Sequence, residues 1–239
     1  MGNAGLYSDF AKYYDLIYEW KDYKKESETV HKLVKKFKKS TGNKLLDIAC
    51  GTGNHIQFLK KHYRITGIDL NGQMLKIARK KFPKTRFFKA DMKNFNLKKE
   101  FDAVVCLFSS IAYLKGYGDL EKAIKCFAKH LKKGGVLIIE PFVEKKAFKS
   151  GTMHAQFVNK PEVKIARINT SNRKGDKVIL DFHYLIGTPK GIKYSKEKHA
   201  IFLFDAGNFL KILRKHGFKA KFLKNGLLKN RGLYVGVKK

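Results

Sequence analysis

The segment Leu45-Leu46-Asp47-Ile48-Ala49-Cys50-Gly51-Thr52-Gly53-Asn54 decides the fold of this chain. Its short apolar run predicts a buried strand, and the small residues Ala49, Gly51 and Gly53 predict a turn where a ligand can lie against the backbone. Residues 54–62 then show the apolar spacing of a helix. A strand, a glycine turn and a helix in succession predict a binding site at the carboxyl edge of a parallel sheet.

The same alternation continues for about a hundred residues, which predicts an α/β fold with helices on both faces of a mostly parallel sheet. Pro83 is expected to end the first long helix after the motif, and Gly134-Gly135 to close the second. The predicted strands are 64–69, 85–90, 101–108 and 136–140, and the predicted helices are 72–81 and 119–131.

The pattern changes after Pro141. Strand-like runs at 163–170, 177–186 and 196–204 are separated by turns, which predicts an antiparallel β meander inserted at 142–204 on the substrate side. A helix capped by Asp205 and two further strands complete the main sheet, giving seven strands in all. We expect one domain over 1–239, with an aromatic-rich helical segment at 1–40 as a lid.

Composition favours a globular, reduced protein. The 239 residues are 44% hydrophobic with three cysteines, and the chain opens without a signal-peptide pattern, so we predict a cytoplasmic protein that no segment anchors in a membrane. The net charge of +32 would suit nucleic acid, but 45 of the 52 basic residues are Lys and they are spread evenly. We therefore predict that nucleic acid is not a partner, with an RNA-binding enzyme as the open alternative.

Acidic residues at the strand ends separate two classes of cofactor. A dinucleotide site requires a third glycine, and Ile56 stands at that position. Asp69 ends the second predicted strand, where a carboxylate can accept both hydroxyls of a ribose, and Asp91-Met92 ends the third. This pattern over residues 44–140 resembles the class I S-adenosylmethionine-dependent methyltransferases, a Rossmann-like fold. The resemblance implies S-adenosylmethionine as the cofactor, and we predict no metal site.

A further resemblance extends over nearly the whole chain, to the dTDP-aminosugar N,N-dimethyltransferases of desosamine and mycaminose biosynthesis. It is carried by Tyr14–Tyr18, Lys21–Tyr23, Asp47–Gly53, Asp91-Met92, Cys106–Ile111, Glu140-Pro141, His183–Leu185, Phe202–Phe204 and Arg231–Leu233. By position it implies that the cofactor is contacted by Tyr14, Tyr23, Ala49, Gly51, Gly53, Asp69, Asp91, Met92 and Leu107. It also implies that the acceptor side is lined by Tyr7, Arg167 and Arg231.

Some of these residues have structural alternatives. Tyr14 and Tyr23 are equally explained as half-buried aromatics of a docked helix. Arg167 could form an ordinary cross-strand pair, although a diphosphate prefers the planar fork of Arg. For the histidines of the inserted strands, packing or surface roles outweigh catalysis.

The chain departs from the aminosugar enzymes at one position, because Tyr113 stands where they carry a His after the FSSI segment. Tyrosine is a poor base at neutral pH but can orient an amine by hydrogen bonding, so we take Tyr113 as the candidate catalytic residue. We predict methyl transfer to a small-molecule amine such as a nucleotide-linked aminosugar, in an enzyme that could form a homodimer. The alternatives are O- or C-methylation of another metabolite, and RNA binding through the Lys-rich surface.

Overall fold

The computed structural model describes residues 10–228 and 231–239. The helices of this part of the chain are α1 (Tyr14–Ile17), α2 (Tyr23–Phe37), α3 (Ile56–Leu59), α4 (Gly72–Lys81), α5 (Tyr117–Lys129) and α6 (Ala206–Lys215), with 3₁₀ turns at Ala11–Tyr13 and Ser110–Tyr113. None of them is long and apolar enough to cross a membrane.

Eleven strands form two separate sheets in the described chain. They are β1 (Lys44–Ile48), β2 (Arg64–Asp69), β3 (Arg86–Lys89), β4 (Phe101–Cys106), β5 (Leu131–Ile139), β6 (Thr152–Lys160), β7 (Val163–Lys174), β8 (Lys177–Thr188), β9 (Gly191–Phe202), β10 (Phe218–Leu223) and β11 (Leu233–Lys238). The larger sheet has the order β10-β11-β5-β4-β1-β2-β3, and the smaller has the order β6-β7-β8-β9.

The larger sheet confirms the predicted α/β class. Its pairs from β3 to β5 are parallel, whereas β11 runs antiparallel to both of its neighbours. Alternate residues of the central strands face two layers: Leu46 and Val104 pack under α5 and α6, while Leu45 and Val105 pack under α2. Because β4, β1 and β2 are neighbouring parallel strands, their carboxyl ends lie side by side at one edge of the sheet.

The side chains immediately before α4 and α6 cap the first turns of these helices. Asn71 Oδ1 accepts hydrogen bonds from the backbone N–H groups of Gln73 (2.9 Å) and Met74 (3.1 Å), and so caps α4. Asp205 caps α6 in the same way, accepting from Asn208 N at 2.9 Å as predicted. Side-chain acceptors at these positions satisfy N–H groups that the helix itself leaves unpaired.

The glycine pair 134–135 does not close α5, as the sequence suggested, but lies inside β5. The helix ends at Lys129, and the register of β5 on β4 shifts between Phe101 and Ala103. Gly134 has φ +75°, and a Cβ there would lie 3.0 Å from Lys39 Cβ and Ser40 N. The pair therefore gives room to the segment that enters β1, which a larger residue would displace.

The smaller sheet is antiparallel throughout, as predicted for 142–204, but its first strand, β6, was not predicted. Its inner face packs against the N-terminal segment through Tyr14, Ile17, Ile165 and Tyr184. Residues of this inner face and residues that follow β1 and β4 line one cavity.

Candidate active site

The glycine turn after β1 brings backbone donors to the acid at the end of β2. Asp69 Oδ2 accepts from Gly51 N at 2.8 Å, and Oδ1 accepts from Asn71 N, also at 2.8 Å. Ala49 and Gly51 adopt left-handed φ values of 56° and 57°. A Cβ on Gly51 would meet nothing within 4 Å, so this part of the turn faces open space. The turn thus presents bare backbone next to a fixed carboxylate.

A cavity of about 630 Å³ begins at this turn and extends beneath the smaller sheet. A volume of that order suits a ligand of nucleoside size or larger. It brings together nine of the residues that the sequence singled out, which come from both ends of the chain and from both sheets. They are Tyr14, Tyr23, Ala49, Gly51, Asp69, Leu107, Tyr113, Arg167 and Arg231.

Three other candidates are outside the cavity lining. Gly53 is buried, and a Cβ on it would lie 2.8 Å from the ring of Phe82, so its small size serves packing of the turn. Asp91 accepts from Lys93 N at 2.9 Å with its side chain 40% exposed, and Met92 packs beside the core under α5. Tyr7 lies outside the described residues. The cofactor and acceptor roles of these four residues stay predictions.

Two acids face the turn in a poorly hydrated environment. Asp47 is 3% exposed, and burial together with the nearby Asp69 charge raises the pKa of Asp47 to about 8. Burial also raises the pKa of Asp69, although the N–H groups of Asn71 and Gly51 oppose that rise. A positively charged ligand would favour the ionised form of both acids.

The loop after β4 is held in a strained conformation. Phe108 and Ser109 have left-handed φ values of 51° and 63°, which cost energy in residues other than glycine. Glu140, at the end of β5, accepts from Phe108 N at 2.6 Å, and Arg231 donates to Ser109 Oγ at 2.7 Å. These contacts from the residue after β5 and from the segment before β11 fix the loop that carries Leu107 and Tyr113.

Arg167 enters the cavity from β7. Its Nη2 donates to Gln156 Oε1 at 2.6 Å, and its guanidinium lies over the rings of Tyr18 (5.2 Å) and Phe182 (5.5 Å). The Nε and Nη1 atoms of Arg167 are buried and have no hydrogen-bond partner in the described structure. Buried guanidinium donors without partners favour an anionic ligand.

The N-terminal helix is tied directly to the glycine turn. Asp15 accepts from Thr52 Oγ1 at 2.6 Å, from Asn54 Nδ2 at 2.9 Å and from Lys81 Nζ at 2.9 Å. This attachment places the Tyr14 ring at the cavity, where burial raises the pKa of its phenol. The lid role of 1–40, which the aromatic-rich sequence suggested, stays a prediction.

The sequence did not identify His199 as a cavity residue. It lies on the inner face of β9, and its Nδ1 is 2.5 Å from Tyr113 Oη. The alternation Ser195, Glu197, His199 places these three side chains on one face of the strand, and this was the available signal.

Comparison with known proteins agrees with this geometry. Residues 45–135 match a methyltransferase-domain family. The chain is 35% identical to a dTDP-3-amino-3,4,6-trideoxy-alpha-D-glucopyranose N,N-dimethyltransferase of Streptomyces venezuelae, across 96% of this chain and 98% of that protein.

Solved structures show the same relationship. The crystal structure of DesVI from Streptomyces venezuelae superposes with a TM-score of 0.91 at 34% identity, covering 97% of this chain and 99% of that one. CalS10, an amino pentose methyltransferase from Micromonospora echinaspora solved with bound S-adenosylmethionine, gives 0.85 at 26% identity and covers 96% of both chains. Sequence, fold and the position of the cavity lead to one conclusion: this chain belongs to the S-adenosylmethionine-dependent methyltransferases, in the family of the dTDP-aminosugar N,N-dimethyltransferases.

Proposed function

We propose that this protein methylates the amino group of a nucleotide-linked aminosugar. The observation that carries the proposal is the single cavity that joins the glycine turn to Arg167. One end offers bare backbone and a carboxylate, and the other offers buried guanidinium donors without partners. The Streptomyces venezuelae relative named above is a dTDP-aminosugar N,N-dimethyltransferase, and the two ends of the cavity suit the two substrates of that reaction.

The residues at the turn fit S-adenosylmethionine. Ala49 and Gly51 leave space for the methionine part, and Asp69 is held by two N–H groups in a position to accept the ribose hydroxyls. Tyr14, Tyr23 and Leu107 complete the proposed contacts. The cofactor supplies a methyl group already activated on a sulfonium, so the protein chiefly has to align a neutral amine and exclude water.

Arg167 and Arg231 are proposed to hold the diphosphate of the acceptor. Arg167 lines the cavity and has two buried donors without partners, whereas Arg231 also donates to Ser109 and lies 4.0 Å from Glu140. Arg167 is therefore the cleaner test of diphosphate binding, because its replacement leaves the loop after β4 untouched.

The experiment is a mass-spectrometric assay with S-adenosylmethionine and a dTDP-3-amino sugar. Arg167→Lys keeps the charge and removes the fork, so the KM for the acceptor should rise at least about tenfold with cofactor affinity unchanged. Arg173→Lys, on the same strand with its guanidinium bonded to backbone carbonyls, is the matched control. Methylation at oxygen or carbon, or an unchanged KM in Arg167→Lys, would contradict the proposal.

The outer face of the smaller sheet supports a homodimer. Its outward side chains include exposed apolar residues on all four strands, and patches of this kind commonly mark interfaces. They are Met153, Phe157, Ile168, Ile179, Leu185, Ile192 and Tyr194. We propose that a second copy of the chain covers this face. The cytoplasmic location also stays a proposal, supported by three free cysteines.

A further inference from the structure

A row of hydrogen-bonding side chains leads from the cavity into the inner face of the smaller sheet. Tyr113 Oη lies 2.5 Å from His199 Nδ1, and His199 Nε2 lies 3.2 Å from Glu197 Oε1. The same carboxylate oxygen accepts a hydrogen bond from Tyr184 Oη at 2.8 Å. His199 and Glu197 are 9% and 13% exposed at their side chains, so the row is shielded from bulk water while Tyr113, 44% exposed, is accessible from the cavity.

The partners of the imidazole fix its neutral tautomer. A carboxylate at Nε2 favours the proton on that nitrogen, which leaves the Nδ1 lone pair to accept the Tyr113 hydroxyl. Phenol, imidazole and carboxylate then form the sequence of donor, acceptor and orienting group that general-base catalysis uses elsewhere.

We propose that Tyr113, His199 and Glu197 form a proton relay that deprotonates the acceptor amine before methyl transfer. The inference rests on the proposed function, because it assumes an amine that arrives as an ammonium ion. Tyr113 contacts the amine, and His199 is the proton acceptor behind it.

The proton balance is simple. The ammonium group gives a proton to Tyr113 Oη while the hydroxyl proton of Tyr113 passes to Nδ1 of His199. Tyr113 is again a neutral phenol, the imidazole becomes an imidazolium beside the Glu197 carboxylate, and the amine holds its lone pair. The N–C bond then forms as the S–C bond breaks, and the electron pair of that bond stays on sulfur. His199 returns its proton to solvent before the next turnover.

The relay explains how a phenol can serve where it alone would be a poor base. A neutral imidazole is a much stronger base than a neutral phenol, so His199 can hold a proton that Tyr113 alone would not. The structure supplies an imidazole from β9 one hydrogen bond behind Tyr113.

Other titratable groups around the imidazole are compatible with this role. Among the described residues, Tyr113 approaches it from the loop after β4, and Glu197 lies on its own strand. Burial raises the pKa of Tyr184 on β8, which therefore stays a neutral donor to Glu197. The Phe182 ring packs against the imidazole at 5.1 Å, with the Arg167 guanidinium over the same ring.

The test is the pH profile of kcat/KM for His199→Gln, with Tyr113→Phe alongside. Glutamine keeps a hydrogen-bonding side chain but cannot take the proton, so kcat/KM at pH 7 should fall about 100-fold. The loss should shrink as the pH approaches the pKa of the free amine, because the substrate then arrives deprotonated. Glu197→Gln should give a smaller loss of the same shape, since only imidazolium stabilisation is removed.

The matched control is His183→Gln. His183 Nδ1 lies 2.5 Å from Tyr194 Oη and its Nε2 is 3.5 Å from Asp181, so it repeats the same grouping on the outer face of the sheet, away from the cavity. Its kcat/KM should match the wild type at every pH. Calorimetry should give unchanged S-adenosylmethionine affinity in both histidine variants, which separates loss of the relay from misfolding.

Two results would overturn the relay. One is a kcat/KM for His199→Gln within threefold of the wild type at pH 7, and the other is a loss of equal size at every pH, which would indicate a purely structural role. A readout without any acceptor is the NMR titration of the His199 imidazole. The midpoint of that titration should differ from the wild type in Tyr113→Phe and in Glu197→Gln. A midpoint unchanged in both variants would exclude coupling of His199 to Tyr113 and Glu197, even if the acceptor proves to be another molecule.

Discussion

Replacing Asp47 by Asn should change the way in which the stability of the ligand-free protein depends on pH. In the unfolded chain an aspartate ionises near pH 3.8, whereas burial and the Asp69 charge raise the pKa of Asp47 to about 8 in the folded protein. Unfolding at intermediate pH therefore releases a proton, and raising the pH favours the unfolded state. Asparagine does not titrate, so the stability of Asp47→Asn relative to the wild type should rise with pH.

The size of the effect follows from the pH interval between the unfolded pKa of Asp47, near 3.8, and its folded pKa of about 8. Between pH 5 and pH 7.5 the wild type should lose up to about 3 kcal/mol relative to Asp47→Asn, at about 1.36 kcal/mol per pH unit. At about 2 °C per kcal/mol, the difference in melting temperature should grow by up to about 6 °C over the same range. Differential scanning calorimetry of both proteins without ligand at the two pH values measures it.

Asp102→Asn is the matched control, and its melting-temperature difference from the wild type should stay constant between pH 5 and pH 7.5. Burial would raise the pKa of Asp102, but hydrogen bonds from Lys132, Lys44 N and Ser40 outweigh burial and lower it. That stabilisation is present above the unfolded pKa and is lost as the pH falls through the folded one. A melting-temperature difference for Asp47→Asn that stays constant from pH 5 to pH 7.5 would refute the reasoning about this acid.

Three further outcomes can be measured directly. Asp69→Ala should weaken S-adenosylmethionine binding by about 1–3 kcal/mol in calorimetry, while NAD should not bind the wild type; NAD binding without an adenosylmethionine signal would contradict the cofactor assignment. Phe157→Lys should shift a dimer to monomer in analytical ultracentrifugation, whereas Phe88→Lys, at an exposed phenylalanine of the larger sheet, should not. RNA should bind only weakly and lose affinity steeply with salt; sequence-selective, submicromolar binding at physiological salt would favour the RNA-methyltransferase alternative.

Strands and helices of the larger sheet could be predicted because their apolar residues follow the spacing of each element. The predicted strand 64–69 and helix 72–81 coincide with β2 and α4, since their apolar residues all face a core. β6 was missed for a definite reason: Met153 and Phe157 are 72% and 70% exposed, while His154 on its inner face lines the cavity. A strand whose inner side chains face a ligand site and whose outer ones are apolar reverses the usual pattern.

The part of the candidate site that lies within one short stretch of sequence could be predicted. The turn at Ala49–Gly53 and the acid at Asp69 lie close in the chain and at the ends of adjacent strands. The pairing of Tyr113 with His199 could not be inferred from periodicity, because it joins residues 86 positions apart through the packing of one sheet over another. Such contacts depend on the tertiary arrangement.

The shared apolar cluster between the N-terminal segment and the smaller sheet has a consequence for protein engineering. The apolar cluster beside the cavity is assembled from two separate stretches of chain, with Ile17 from one packed among Ile165 and Tyr184 from the other. A chimera that exchanges only 142–204 with a relative would join surfaces that were not matched to each other. Grafts intended to alter acceptor choice should therefore transplant both stretches together, leaving the glycine turn of the host in place.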